Sequence, residues 1–213
     1  MLNKRVRDGI RKIHNPTPRI KFCLGTLAIV SLCVLMLVTA TFSQIKISFN
    51  IPDMGVSSYL KFEYIPQIPV VIFIAALLGE YWGLVSVLLY VILGLTPLFP
   101  VFALGGGPSY IFQYNFGYIF GFLFAVLISA KMIKKSNGIL DDILAVIYGV
   151  LAIHVIGSIY LTVIALLRHD TFNFIGNLIY FQSISKIMYD LVFGFIAVLV
   201  AKGLKKLMWV FLG

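Results

Sequence analysis

Polar and apolar residues in this chain fall in long blocks. The first apolar block, Phe22 to Phe42, is long enough at about 1.5 Å per residue to cross a hydrocarbon core of about 30 Å as a helix. Ser43 to Glu63 is more polar, with Pro52, Gly55, Ser57 and Ser58, and is expected to be a loop. A second, shorter block runs from Tyr64 to Leu78, with Pro66 and Pro69 in its opening turns. Proline is tolerated there because the first amides of a helix lack internal partners. Gly79-Glu80-Tyr81-Trp82-Gly83 reads as a tight connector with Trp82 as an interfacial anchor. The third block, Leu84 to Phe102, is broken by Gly94, Pro97 and Pro100 and runs into Gly105-Gly106-Gly107-Pro108. Irregular backbone at membrane depth must be wrapped in protein or line a cavity, because lipid cannot satisfy its amides. Three further blocks follow, Ser109 to Ala130, Ile143 to Leu167 and Ser183 to Leu204, with a loop from Arg168 to Gln182. The pattern predicts an all-α integral membrane protein, a bundle of six transmembrane helices.

Composition agrees. Of 213 residues 61% are apolar and 12% charged, against roughly a quarter charged in soluble domains, and the mean hydropathy is +1.02. A large soluble catalytic domain is excluded. The net charge of +9 does not indicate nucleic acid, because the cations sit at the edges of apolar blocks. With a cytoplasmic N-terminus, the inner side holds Lys4, Arg5, Arg7, Arg11, Lys12, Arg19 and Lys21, then Lys131, Lys134, Lys135, Lys202, Lys205 and Lys206. The outer side holds only Lys46, Lys61, Arg168 and Lys186. That asymmetry places both termini in the cytoplasm. Residues 1–21 are then a basic cytoplasmic segment, and 22–213 a single membrane domain. Cys23 and Cys33 lack further partners for a disulfide framework or a zinc site, and read as small lipid-buried residues.

The glycine triplet is not followed by Lys-Ser/Thr, no histidine pair has metal-ligand spacing, and no Gly-x-Ser-x-Gly occurs. Neither an enzyme nor a bound cofactor or metal is expected. An ionisable group inside a span is a functional candidate by default, and Asp190 qualifies, about 10 Å into the sixth block. Lys186 lies one turn before it on the same face. The two either neutralise each other or face a pocket, Lys186 drawing an anionic group and Asp190 accepting from substrate N–H. Asn115 and Gln67 carry amides suited to a urea or amide edge, or to helix-helix hydrogen bonds. Tyr118 and Tyr114 offer flat walls, and Gly105 to Gly107 allow either close backbone approach to a ligand, centred on Gly106, or a sharp turn. His154 is expected to be a packing donor, and Arg168, His169 and Asp170 a solvated cap. Gly117 and Gly121 form a Gly-x-x-x-Gly face for close helix contact.

Several elements follow one another in a recognisable order: Pro66-Gln67-Ile68-Pro69, Leu89-Tyr90-Val91-Ile92-Leu93-Gly94-Leu95, Pro100-Val101-Phe102-Ala103, Gly105-Gly106-Gly107 and Gly117-Tyr118-Ile119-Phe120-Gly121-Phe122. Over residues 64 to 130 the chain resembles the BioY family, the biotin-binding S components of energy-coupling factor transporters. The resemblance implies a six-helix S-component bundle in the cell membrane that captures biotin from outside and works with a transmembrane coupling protein and ABC-type ATPases. It implies biotin contacts from an Asn around the third to fourth span, for which Asn115 is the nearest candidate, and from an Asp and a Lys in a Pro-Gly-Asp-x-x-Lys pattern of the sixth helix. This chain instead has Lys186-Ile187-Met188-Tyr189-Asp190, with the Lys four residues before the Asp. Alternatives at this stage are an S component for riboflavin or thiamine, a membrane-embedded enzyme, or a scaffold.

Overall fold

The structure is a computed structural model that describes residues 24–50, 59–98, 100–103 and 105–212. The basic segment 1–21 and Cys23 lie outside the described residues. Helix α1 spans Leu24–Phe42 and buries one stripe that includes Val30, Cys33, Val34, Leu37 and Thr41. This is the spacing of a single helix face. Cys33 therefore sits inside the bundle, whereas Leu32 and Leu35 on the other face are exposed. Such leucines, with Ile92, Val155, Ile159 and Val192 elsewhere, form the apolar exterior of a protein whose solvent is lipid.

The segment expected to be a loop contains a hairpin. Strand β1 (Ile45–Asn50) pairs antiparallel with β2 (Tyr59–Tyr64). The register matches Ile45 with Tyr64, Ile47 with Phe62 and Phe49 with Leu60. The spanning part of the fold is all-helical.

Helix α2 (Gln67–Leu95) is not one rod. Gly79 has φ 76° and ψ −167°, a conformation open to glycine, and the chain doubles back there. The Gln67 amide consequently bonds the Tyr90 hydroxyl 23 residues later, and a Cβ on Gly83 would lie 3.5 Å from the Ile74 carbonyl oxygen. Two of the expected blocks are thus the two arms of one helical hairpin. The helix ends at Thr96, whose N–H reaches Ile92 and Leu93, and Pro97 follows. An irregular crossing then runs through a bridge between Phe102 and Gly105, left-handed Gly105 and Gly107 (φ 124° and 90°) and a 3-10 turn, Pro108–Phe112.

Helix α3 (Phe116–Lys135) packs along α4 (Ile139–Leu167). Gly121 faces the Ile153 backbone, 3.0 Å from Cα to the position of a Cβ, and Gly117 meets the Tyr160 ring. The expected outer loop 168–182 is also largely helical: α5 (Phe172–Ile179) and a π turn (Tyr180–Ile184) lead into α6 (Ile187–Leu212). Thr171 caps α5 by accepting from the Phe174 N–H at 3.4 Å, a start signal masked in sequence by Asn173, Gly176 and Asn177. Among the described residues five helical segments are long and apolar enough to cross a membrane, counting α2 as one and α5 through Leu207 as one. At the opposite end of α6 from Asp190, Lys202 forms an ion pair of 2.6 Å with buried Asp142.

Candidate ligand-binding site

One end of the bundle holds a cavity of about 300 Å³, at the small end of the roughly 300–1,000 Å³ typical of small-molecule sites. Its wall is assembled from separated parts of the chain. Tyr64 and Ile65 come from the end of β2 and the residue after it, Gln67 and Ile68 from the start of the first α2 arm, and Ala103, Tyr110 and Asn115 from the irregular crossing. Tyr118, Ile119 and Phe122 come from α3, Gln182 from the π turn, and Lys186 and Asp190 from the start of α6.

Asp190 is 2% exposed, so its carboxylate needs polar partners. Oδ1 accepts from the Tyr64 hydroxyl at 2.7 Å, and Oδ2 lies 3.1 Å from His154 Nε2. Burial first, and the Asp190 charge second, push the Tyr64 phenol well above its usual range, which keeps it an O–H donor. The Tyr64 ring is stacked on Phe193 of α6 at 5.6 Å. Lys186 lies one turn from Asp190, whose N–H bonds the Lys186 carbonyl.

Asn115 immediately precedes α3 and its side chain does not cap the helix. Its Oδ1 is buried without a partner, as is His154 Nδ1. Leaving such an atom unpaired costs about 1–3 kcal/mol, and on a cavity wall it is a site for a ligand donor. Gln67 is more constrained. Its Nε2 donates to Thr41 Oγ1 at 2.6 Å and to the Tyr90 hydroxyl at 3.0 Å, and those two oxygens are 2.9 Å apart. The triangle ties α1 to both α2 arms and commits the Gln67 NH2 to structure.

The Tyr118 hydroxyl bonds Ser183 of the π turn at 2.7 Å, and its ring lies over Gly157 of α4. Among the described residues no group of three or more His, Cys, Asp and Glu side chains could hold a metal ion. Five of the six residues selected from sequence thus share one cavity: Gln67, Asn115, Tyr118, Lys186 and Asp190. Gly106 does not line it; the glycines serve the turn, where the Gly107 N–H bonds the Gly94 carbonyl at 2.8 Å.

The sequence matches the BioY family over residues 14–209. The chain belongs to the BioY family. No curated protein matches it. Among solved structures it is similar to the crystal structure of the S-component for biotin from an ECF-type ABC transporter. The TM-score is 0.62 at 19% identity, covering 86% of this chain and 92% of that one, a likeness of fold.

Of the elements that carry the BioY resemblance, three contribute lining residues, Gln67 and Ile68, Ala103, and Tyr118, Ile119 and Phe122, and a fourth supports the wall from behind. Tyr90 and Gly94, one turn apart, both meet Phe102, and Phe102 in turn packs on Tyr110 at 4.5 Å between ring centroids. Sequence reasoning missed Tyr64, Tyr110 and Gln182 as lining residues. Tyr64 read as the start of a span, and Gln182 as the last residue of a loop. Arg168 and Asp170 clamp the residue before Asn115 in this BioY protein: the guanidinium lies 4.6 Å from the Tyr114 ring centroid, and the Tyr114 hydroxyl donates to Asp170 Oδ2 at 2.7 Å. Arg168 also donates to the Phe112 carbonyl at 2.7 Å.

Proposed function

We propose that this BioY protein captures biotin and serves as the substrate-specific S component of an energy-coupling factor type transporter in the cell membrane. One observation carries the reading: Asn115, Lys186 and Asp190, distant in sequence, line a single cavity of small-molecule size. Biotin presents two ureido N–H groups, an apolar bicycle and a carboxylate. Asp190 and the unpartnered Asn115 Oδ1 accept from the N–H groups. Tyr110, Tyr118, Ile119 and Phe122 enclose the bicycle, and Lys186 attracts the carboxylate.

Counting the two arms of α2 separately, the bundle has six membrane helices with both termini cytoplasmic, as the cation asymmetry favours. The cavity then opens outward. The chain carries no nucleotide-binding motif, so energy enters through a coupling membrane protein and ABC-type ATPases. The protein binds and releases its ligand without chemical change and is not an enzyme.

Titration calorimetry of the purified protein tests this. Biotin heat without added ATP, lost in Asp190→Ala at unchanged yield, is the expected result. Absence of heat and of retained biotin rejects the substrate, and a thermal-shift panel including riboflavin and thiamine then identifies the replacement.

A further inference from the structure

His154 does not itself line the cavity, yet it touches two residues that do, Asp190 and Tyr118. It is 4% exposed on the face of α4 that also carries Val150, Ile153, Gly157 and Leu161, all buried. Packing alone at such a position is met by leucine. Its Nε2 lies 3.1 Å from Asp190 Oδ2, and its Nδ1 is buried without a partner. The imidazole ring is fixed edge-on to the Tyr118 ring at 6.1 Å between centroids. Because an ionised carboxylate only accepts, Nε2 carries the hydrogen in this contact. Tyr64 holds the other carboxylate oxygen, so the two donors fix the plane of a group that lines the cavity.

We infer that His154 is a positioning residue for ligand capture, acting through Asp190. The inference rests on the biotin reading above. Without the imidazole N–H, Oδ2 of a buried carboxylate loses its donor, and the group is no longer held in its plane and rotates. That rotation removes an acceptor aimed at the ligand's N–H groups, while the carboxylate end of the ligand keeps its surroundings. Outer-layer hydrogen bonds of this kind orient ligating groups at other sites.

The test is biotin titration of the full chain and of His154→Leu, His154→Gln, Asp190→Asn and the Asp190→Asn/His154→Leu double variant. His154→Leu is expected to weaken biotin by about tenfold or more, the scale of one lost charge-assisted hydrogen bond. His154→Gln, which retains a side-chain N–H of similar reach, is expected to stay within about threefold of the parent. The double variant should bind no more weakly than Asp190→Asn alone, because the two residues act as one unit. Parent-like affinity in His154→Leu, or a double variant losing the product of the two single effects, overturns the inference while biotin capture stands. If His154→Leu does not give monodisperse protein, His154→Gln is compared with His154→Asn, whose amide is too short. Loss in the Asn variant alone supports the positioning role, and equal affinity overturns it. A parent protein that binds no biotin removes capture itself, and positioning with it.

Discussion

The Phe102 ring lies on the bare α-carbon of Gly94, in the space a Cβ would occupy. Through this contact the irregular crossing is seated on the second arm of α2, and the Phe102 ring passes the placement on to Tyr110 in the cavity wall. Gly94→Ala must therefore displace an aromatic ring that is 1% exposed. Overpacking of this kind costs about 1–3 kcal/mol. A lower melting temperature in detergent together with weaker biotin binding is expected, and an unchanged melting temperature contradicts the seating.

Gly157 does for Tyr118 what Gly94 does for Phe102. A Cβ at Gly157 would meet the Tyr118 ring, so Gly157→Ala pushes the ring away from α4 and toward the cavity. Biotin affinity should fall about tenfold or more, the scale of losing a well-placed contact. The companion variant Gly176→Ala, where a Cβ meets nothing within 4 Å, should bind normally. Calorimetry on the pair checks both.

Asn115→Ala separates a ligand-binding role from a structural one. Oδ1 is buried and unpartnered, so its removal relieves a cost of about 1–3 kcal/mol rather than breaking a protein contact. The ligand-free protein should melt no lower than the parent, while biotin binding weakens. A fall in ligand-free stability would show that Asn115 holds the fold.

Lys186 is assigned to the ligand carboxylate, and the assignment can be read from ligand chemistry. Lys186→Met should weaken biotin more than biotin methyl ester, narrowing the preference of the parent protein for the acid. Equal losses for acid and ester would place the carboxylate elsewhere.

The Asp142–Lys202 pair predicts a stability effect with no effect on binding. Lys202→Met leaves Asp142, 3% exposed, without its ion-pair partner. Breaking a fully buried pair costs about 3–5 kcal/mol; because the Lys202 side chain is 39% exposed, about 1–3 kcal/mol is expected here after screening. Neither residue lines the cavity, so biotin affinity should be unchanged while the melting temperature drops.

Apolar blocks long enough to cross a membrane were legible from sequence, because the bilayer imposes a length no soluble helix needs. The doubling back at Gly79 was legible too, as the first residue of a connector read over Gly79 to Gly83, although Glu80 to Gly83 belong to the helix. The hairpin was not: Ile45-Lys46-Ile47-Ser48-Phe49-Asn50 alternates over only six residues and stands beside Pro52 and Gly55. The π turn has no sequence signature, so Gln182 could not be placed. For the site, the rarity of ionisable groups in apolar blocks singled out Asp190 and Lys186. Neither of the two readings of that pair, mutual neutralisation or a shared pocket, named the partners of Asp190, because Tyr64 and His154 are 126 and 36 residues away from it. Such separations are settled by how helices pack, not by local pattern.

The first arm of the α2 hairpin has only the twelve positions from Gln67 to Leu78 before the chain turns at Gly79, a rod of about 18 Å where a crossing takes about 30 Å. Its beginning, at Gln67 and Ile68, also lines the hollow. The ligand chamber is thus the room left by a column that stops short. Adding a helical turn there would fill it.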